Sequence, residues 1–101
     1  LFQEYGENSY SNIYELEIVN KTRKEHRVNV EMIDPPGEII MMGDPITVEE
    51  GDNASGNFLA VIKKNNLSSS NTRIRLGVYS GDRLIEEYDV SFVGPNSLDT
   101  N

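Results

Sequence analysis

The feature that most restricts this chain is a two-residue rhythm of apolar and polar side chains, cut at short intervals by turn residues. In Ile13–Ile33, IYELEIVNKTRKEHRVNVEMI, Tyr14, Leu16 and Ile18 alternate with Glu15 and Glu17. Val28, Val30 and Met32 then alternate with Asn29 and Glu31. Successive side chains of an extended strand point to opposite faces, so each apolar stripe is the buried face of a half-buried strand. The rhythm breaks at Asn20-Lys21-Thr22. Asn and Thr side chains bond nearby backbone there, and Lys21, Arg23 and Lys24 stay solvated. The break is expected to be a hairpin connection or a change of sheet.

The same reading extends along the chain. Residues 1–10, LFQEYGENSY, give the end of a first strand and a turn. Asp34-Pro35-Pro36-Gly37 stops the Val28 strand, because proline lacks the ladder N–H and glycine admits a sharp turn. Ile39–Met42 and Ile46-Thr47-Val48 are short strands on either side of Gly43-Asp44-Pro45. Residues 57–63, NFLAVIK, are apolar on both faces and predict a central strand. Residues 65–71, NNLSSSN, form a polar loop. Ile74, Leu76 and Val78 alternate with Arg73, Arg75 and Gly77, and Ser80-Gly81-Asp82-Arg83 turns the chain into a strand carrying Tyr88, Val90 and Phe92. Glu86 falls in phase with the buried side of that strand, which requires a bulge or an exposed strand end.

These elements predict an all-β fold, an immunoglobulin-like antiparallel β-sandwich of about seven strands. Its core is expected between two sheets, from Tyr14, Leu16, Ile18, Val28, Val30, Ile74, Leu76, Val78, Tyr88, Val90 and Phe92. Residues 1–95 are read as a single domain and 96–101 as a flexible tail. Tryptophan and cysteine, the core markers of antibody domains, are absent from the sequence. The fold therefore rests on strand count and alternation.

With 101 residues, 37% of them hydrophobic, the chain can fill one modest core. A net charge of −8, from 17 acidic against 9 basic residues, argues against nucleic acid and anionic lipid as partners, since both repel such a surface. No apolar run approaches the roughly 20 residues of a spanning helix, so direct membrane insertion by this segment is not expected. A signal-peptide pattern is also missing. The start at Leu1 is read as that of an excised domain or mature fragment. Without cysteine, the chain offers no disulfide, iron–sulfur ligand, zinc knuckle or thiol nucleophile.

Candidate chemistry is sparse. His26 is the only histidine. It lies between Glu25 and Arg27 with no nucleophile in a recognisable arrangement, and is read as an exposed turn or strand start. Met32, Met41 and Met42, with His26, are soft ligands of the kind that suit Cu(I). Methionine also fills irregular cores, and the adjacent Met41 and Met42 of a strand point to opposite faces. Asp44, Glu49, Glu50, Asp52 and Asn53 carry hard oxygens but lack the ligand spacing of an EF-hand, so they read as a solvated acidic loop. Asn20-Lys21-Thr22, Asn53-Ala54-Ser55 and Asn66-Leu67-Ser68 fit the glycosylation triplet, which matters only in a eukaryotic secreted protein. No catalytic, cofactor-binding or metal-binding residue is assigned.

Several pieces, in order, resemble the C-terminal immunoglobulin-like domain of the FixG/CcoG family of bacterial membrane proteins. They are LFQEYG, NIYELEIVNKT, the Gly37-Glu38-Ile39 triplet, the Leu67–Ser69 loop, the hairpin IRLGVYSGDRLIEE and the closing SFVGP. Asn20-Lys21-Thr22 after an alternating strand and Phe92-Val93-Gly94-Pro95 carry most of the likeness. The resemblance implies a parent that is a polytopic membrane protein with ferredoxin-type iron–sulfur clusters, linked to assembly of cbb-type cytochrome oxidases and to cupric-ion reduction. It also implies that the family's first strand is clipped here, only its last residues being present.

For this cysteine-free segment the resemblance implies no cofactor of its own. It implies instead a non-catalytic interaction or assembly module on the periplasmic side of the inner membrane. The expected partners are the membrane-embedded remainder of the parent and oxidase-assembly proteins. Two other readings stand beside it: a copper-handling domain using methionine and His26, and a free-standing adhesion or chaperone-like sandwich that pairs strands through an open edge.

Overall fold

The computed structural model describes residues 2–19, 26–43, 46–49 and 51–99, without the side chains of His26 and Val48. Among them, eight strands follow in chain order: β1 (Phe2–Tyr5), β2 (Ser9–Val19), β3 (His26–Asp34), β4 (Glu38–Met42), β5 (Ile46–Val48), β6 (Asn53–Lys63), β7 (Asn71–Ser80) and β8 (Arg83–Val93). They form two four-stranded sheets, ordered β1-β2-β6-β4 and β5-β3-β7-β8, and every pairing is antiparallel. The expected sandwich is present. The chain leaves the first sheet after β2 and enters the second at β3, so the polar break between the two stripes is a change of sheet. Residues 20–25 themselves lie outside the described residues. A second change of sheet separates β4 from β5, which splits the apolar stretch around Gly43 into two short strands.

The core lies between the sheets and is built from the predicted stripes. Leu16, Val28, Val30, Ile74, Leu76 and Val78 are buried, and Tyr14, Ile18, Met32 and Val90 pack half-buried against them. Phe92, Ile62 and Ile74 are the largest side chains with no measurable contact with solvent. Burying each contributes about 1.5–3 kcal/mol. β6 lies inside its sheet between β2 and β4, as its two apolar faces require. Gly56 makes the β5 contact possible: a Cβ at this position would lie 2.6 Å from Cδ1 of the buried Ile46.

Two parts depart from the simple pattern. Tyr88, expected in the core, is 37% exposed. Every residue of β8 from Arg83 to Asp89 is exposed, and the described side-chain bonds from β2 reach β8 at Ser91 and Val93, beyond this stretch. Glu86 is accommodated both by this exposure and by a bulge, since the β7–β8 register passes from Val78↔Glu86 to Tyr79↔Leu84 and leaves Ile85 unpaired. Gly81, at φ +62°, makes the tight turn before β8. Of the segment read as a flexible tail, Asn96–Asp99 form a 3-10 turn. Ser70 holds it, donating from N–H to Asp99 Oδ1 at 2.7 Å and from Oγ to Asp99 Oδ2 at 2.6 Å. These bonds hold the Asp99 carboxyl below its ordinary pKa. Thr100 and Asn101 lie outside the described residues.

Candidate interaction surface at the open side of the sandwich

Among the described residues β2 is paired to different lengths on its two sides. β6 pairs with β2 along the whole of Ser9–Val19, but β1 covers the other edge of β2 only from Ser9 to Asn12. Ile13–Val19 therefore form a sheet edge with no described strand beside it. β8 pairs only with β7 and is the edge of the second sheet. The two edges run along the same side of the sandwich.

At one end they are tied together by side chains rather than by a strand. Asn12 is buried and acts as a substitute backbone: its Nδ2 donates to Val93 O at 2.9 Å, and its Oδ1 accepts from Val93 N at 2.8 Å. Tyr14 Oη donates to Ser91 O at 2.7 Å. Burial pushes the Tyr14 phenol up to about 12. Tyr14 also packs on Phe58, with ring centroids 5.6 Å apart.

Beyond this tie the sheets enclose a cavity of about 190 Å³ that opens between the edges. Leu16, Phe58, Leu76, Val78, Tyr88 and Val90 supply most of its apolar lining. Glu15 and Glu17, exposed on the outer face of β2, belong to its rim. Glu86, Glu87 and Asp89 are exposed along β8. Asp89 is neutralised by Arg75, whose Nε lies 3.0 Å from Oδ1. Tyr88 Oη donates to Glu86 Oε2 at 2.9 Å, and its own pKa is raised, first by desolvation and then by that bond. Ile13 and Val19, each 60% exposed, bracket the glutamates on β2.

The family described as "IG-like fold at C-terminal of FixG" matches residues 1–95. The chain belongs to this family. Among solved structures, a FixG-related protein from Vibrio parahaemolyticus is similar at a TM-score of 0.61 and 23% identity. The match covers 82% of this chain and 77% of that one, and at this identity it speaks for the fold alone. No curated protein matches the chain.

In this FixG-family domain the residues singled out for chemistry come from several strands. Met32 lies on β3 and Met41 on β4, in different sheets, and both pack half-buried against the core. Met42 is 45% exposed and faces away from Met41. The side chain of His26 lies outside the described residues, as do Asp44 and Glu50. Of the remaining acidic loop, Asp52 N donates to Glu49 O at 3.1 Å, a turn contact of the backbone. Among the described residues no group of three or more histidine, aspartate or glutamate side chains is placed to hold a metal. Asn53 and Ser55 lie exposed on β6, and Asn66 closes a 3-10 turn where its Nδ2 is 3.4 Å from Pro36 O. Asn20-Lys21-Thr22 lies outside the described residues.

Asn12 is the residue that reading for chemistry passed over. Its signal is present in the alternation, for it holds a buried phase with Tyr10, Tyr14 and Leu16. A polar residue at a core position must find a partner, and the rhythm of β2 marks it.

Proposed function

We propose that this domain is a non-catalytic interaction and assembly module of a FixG/CcoG-type membrane oxidoreductase. It stands on the periplasmic side of the bacterial inner membrane, in contact with the membrane-embedded remainder of its parent and with oxidase-assembly proteins. It carries no cofactor of its own; the iron–sulfur clusters belong elsewhere in the parent, because this chain has no cysteine to ligate them. The observation that carries the reading is the match of residues 1–95 to the immunoglobulin-like fold at the C-terminus of FixG.

Deleting the domain from the full-length parent tests the proposal. Cluster absorbance in membranes is expected to persist, while partner association, parent stability or oxidase activity falls. Loss of the clusters from an abundant, folded truncated protein would place the domain in the redox core and refute the reading.

A further inference from the structure

We propose that the outer face of the β5-β3-β7-β8 sheet, around Gly77, docks a separate protein whose contact surface presents an apolar centre flanked by lysine or arginine. This deepens the interaction-module reading and rests on it. The face lies on the far side of the second sheet from the core. Its centre is formed by β3 and β7, each paired on both sides, so recognition there falls to side chains rather than to backbone.

Gly77 belongs to this face, since Leu76 and Val78 on either side of it point into the core. It has no side chain, yet it is buried. Three apolar side chains cover it: a Cβ at this position would lie 2.8 Å from Tyr79 Cε1, 2.9 Å from Ile33 Cδ1 and 3.2 Å from Leu84 Cδ1. The glycine lets residues of β3, β7 and β8 meet low on the sheet as one patch. Ile33 remains 40% exposed and Leu84 43%, and Tyr79 is half-buried. Shielding the Gly77 backbone accounts for the inner atoms of these side chains and leaves their outer surface unused. Apolar residues scattered singly are ordinary on a surface, whereas side chains converging from three strands mark a contact site.

Charge specifies what covers the patch. Glu31 on β3 and Glu87 on β8 stand opposite Gly77 in the register, one on either side, and both are exposed. With neighbouring strands about 4.7–4.9 Å apart, their backbones lie roughly 10 Å from one another across the patch. In the next row Arg75 lies between Asp34 and Asp89 and pairs with Asp89. In these two rows four carboxylates face one guanidinium. A partner that sets lysine or arginine around an apolar centre satisfies both features. A second copy does not, for its same face brings the same carboxylates and the chain as a whole carries −8.

The test uses the full-length parent in nonionic detergent and three end-capped, fluorescently labelled peptides: KKLFLKK, EELFLEE and KKSSSKK. Fluorescence anisotropy is expected to show saturable binding of KKLFLKK, about tenfold tighter than that of either other peptide. Leu84→Ser, at an exposed position, should weaken that binding about tenfold. In the double variant Glu31→Lys, Glu87→Lys, whose substituted side chains are exposed, EELFLEE should become the preferred peptide.

Equal binding of KKLFLKK and EELFLEE would remove charge from the recognition, and equal binding of KKSSSKK would remove the apolar patch; either result overturns the proposal. So does an absence of saturable binding, or binding that ignores all these substitutions, which puts the contact elsewhere or finds this face covered by the parent's own residues. Self-association of the wild type that KKLFLKK disrupts would make a second copy the occupant and reject a separate protein. Failure of the peptides with the deletion phenotype intact would reject this face while leaving the interaction-module reading standing; a deletion without phenotype would reject that reading itself.

Discussion

In its last residues β8 buries Phe92 completely and half-buries Val90, whereas every residue from Arg83 to Asp89 is exposed. Both halves belong to one strand, paired with β7 on both sides of the bulge at Ile85. Tyr88 keeps the parity of Phe92, so alternation alone assigns the two rings to the same face. What separates them is the opposite sheet. Near Phe92, Asn12 and Tyr14 bond to Val93 and Ser91 and draw β2 against β8. Near Tyr88 no such bond spans the sheets among the described residues, and the space between them stays open as the cavity. Alternation tells which way a side chain points; the facing sheet decides whether it is covered.

The largest expected effect tests whether the two halves share one core. Leu76 pairs with Tyr88 on the neighbouring strand and is only 4% exposed. Leu76→Asp places an uncompensated carboxylate among Phe58, Val78 and Val90, a cost comparable with the whole stability of a small domain. Thermal unfolding followed by circular dichroism should lose its cooperative transition. An unchanged transition would mean that the core does not continue into the open half.

A sharper contrast comes from two aromatic truncations on the same strand. Phe92→Ala should cost about 3–5 kcal/mol, because a fully buried ring leaves a cavity between packed sheets. Tyr88→Ala, at an exposed site already bordering open space, should cost about 1 kcal/mol or less. Urea denaturation of the two variants measures both. Equal losses would show that Tyr88 is packed as firmly as Phe92, and the distinction between the halves would fail.

This contrast also marks how far the sequence carries. The strands were legible wherever turn residues bounded a clear alternation, as at Leu16 and Ile18, at Val28 and Val30, and at Ile74, Leu76 and Val78. The bulge beside Glu86 was legible because one charged residue in phase with a buried stripe demands an exit. The exposure of Tyr88 was not, since it depends on what the facing sheet places over it. The turn at Asn96–Asp99 was hidden for a similar reason: its anchor, Ser70, lies 29 positions away in the chain. The open side was illegible as a site because its parts are distributed over β2, β3, β6, β7 and β8. Asn12 was readable in principle, yet only as a polar residue in need of a partner, not as the tie to Val93.

A third prediction addresses that tie. Asn12→Ala removes the donor and the acceptor that satisfy Val93 O and Val93 N together. Leaving these part-buried backbone groups unpaired costs at most about 1–3 kcal/mol, below the cost of truncating Phe92. The loss should be local, with hydrogen exchange quickened at Val93 and Ser91 before the distal hairpin changes. Exchange that quickens first between Arg83 and Asp89 would mean that the two halves are not mechanically separate.

The smallest effect concerns the tyrosine at the boundary between the halves, and it is read through pH. Tyr14 is half-buried, and desolvation raises its phenol from 10.0 to about 12. Folding therefore favours the protonated form, and between these values the native state binds more protons than the unfolded chain. Linkage gives the sign: the stabilisation is fully present below pH 10 and is lost as pH rises through the folded value near 12. Tyr14→Phe keeps the ring against Phe58 but loses the bond to Ser91 O, worth about 0.5–1.5 kcal/mol at neutral pH. The substitution also removes the titrating group. Urea midpoints compared from about pH 9 to about pH 12 should therefore converge, with wild type ahead at the lower end and its advantage shrinking toward the upper. The difference between the two proteins is the readout, since the other tyrosines and the lysines titrate in both. A constant gap across that range would show that the Tyr14 hydroxyl is as well solvated in the folded chain as in the unfolded one. The boundary between the closed and open halves would then lie nearer Val93 than Ser91.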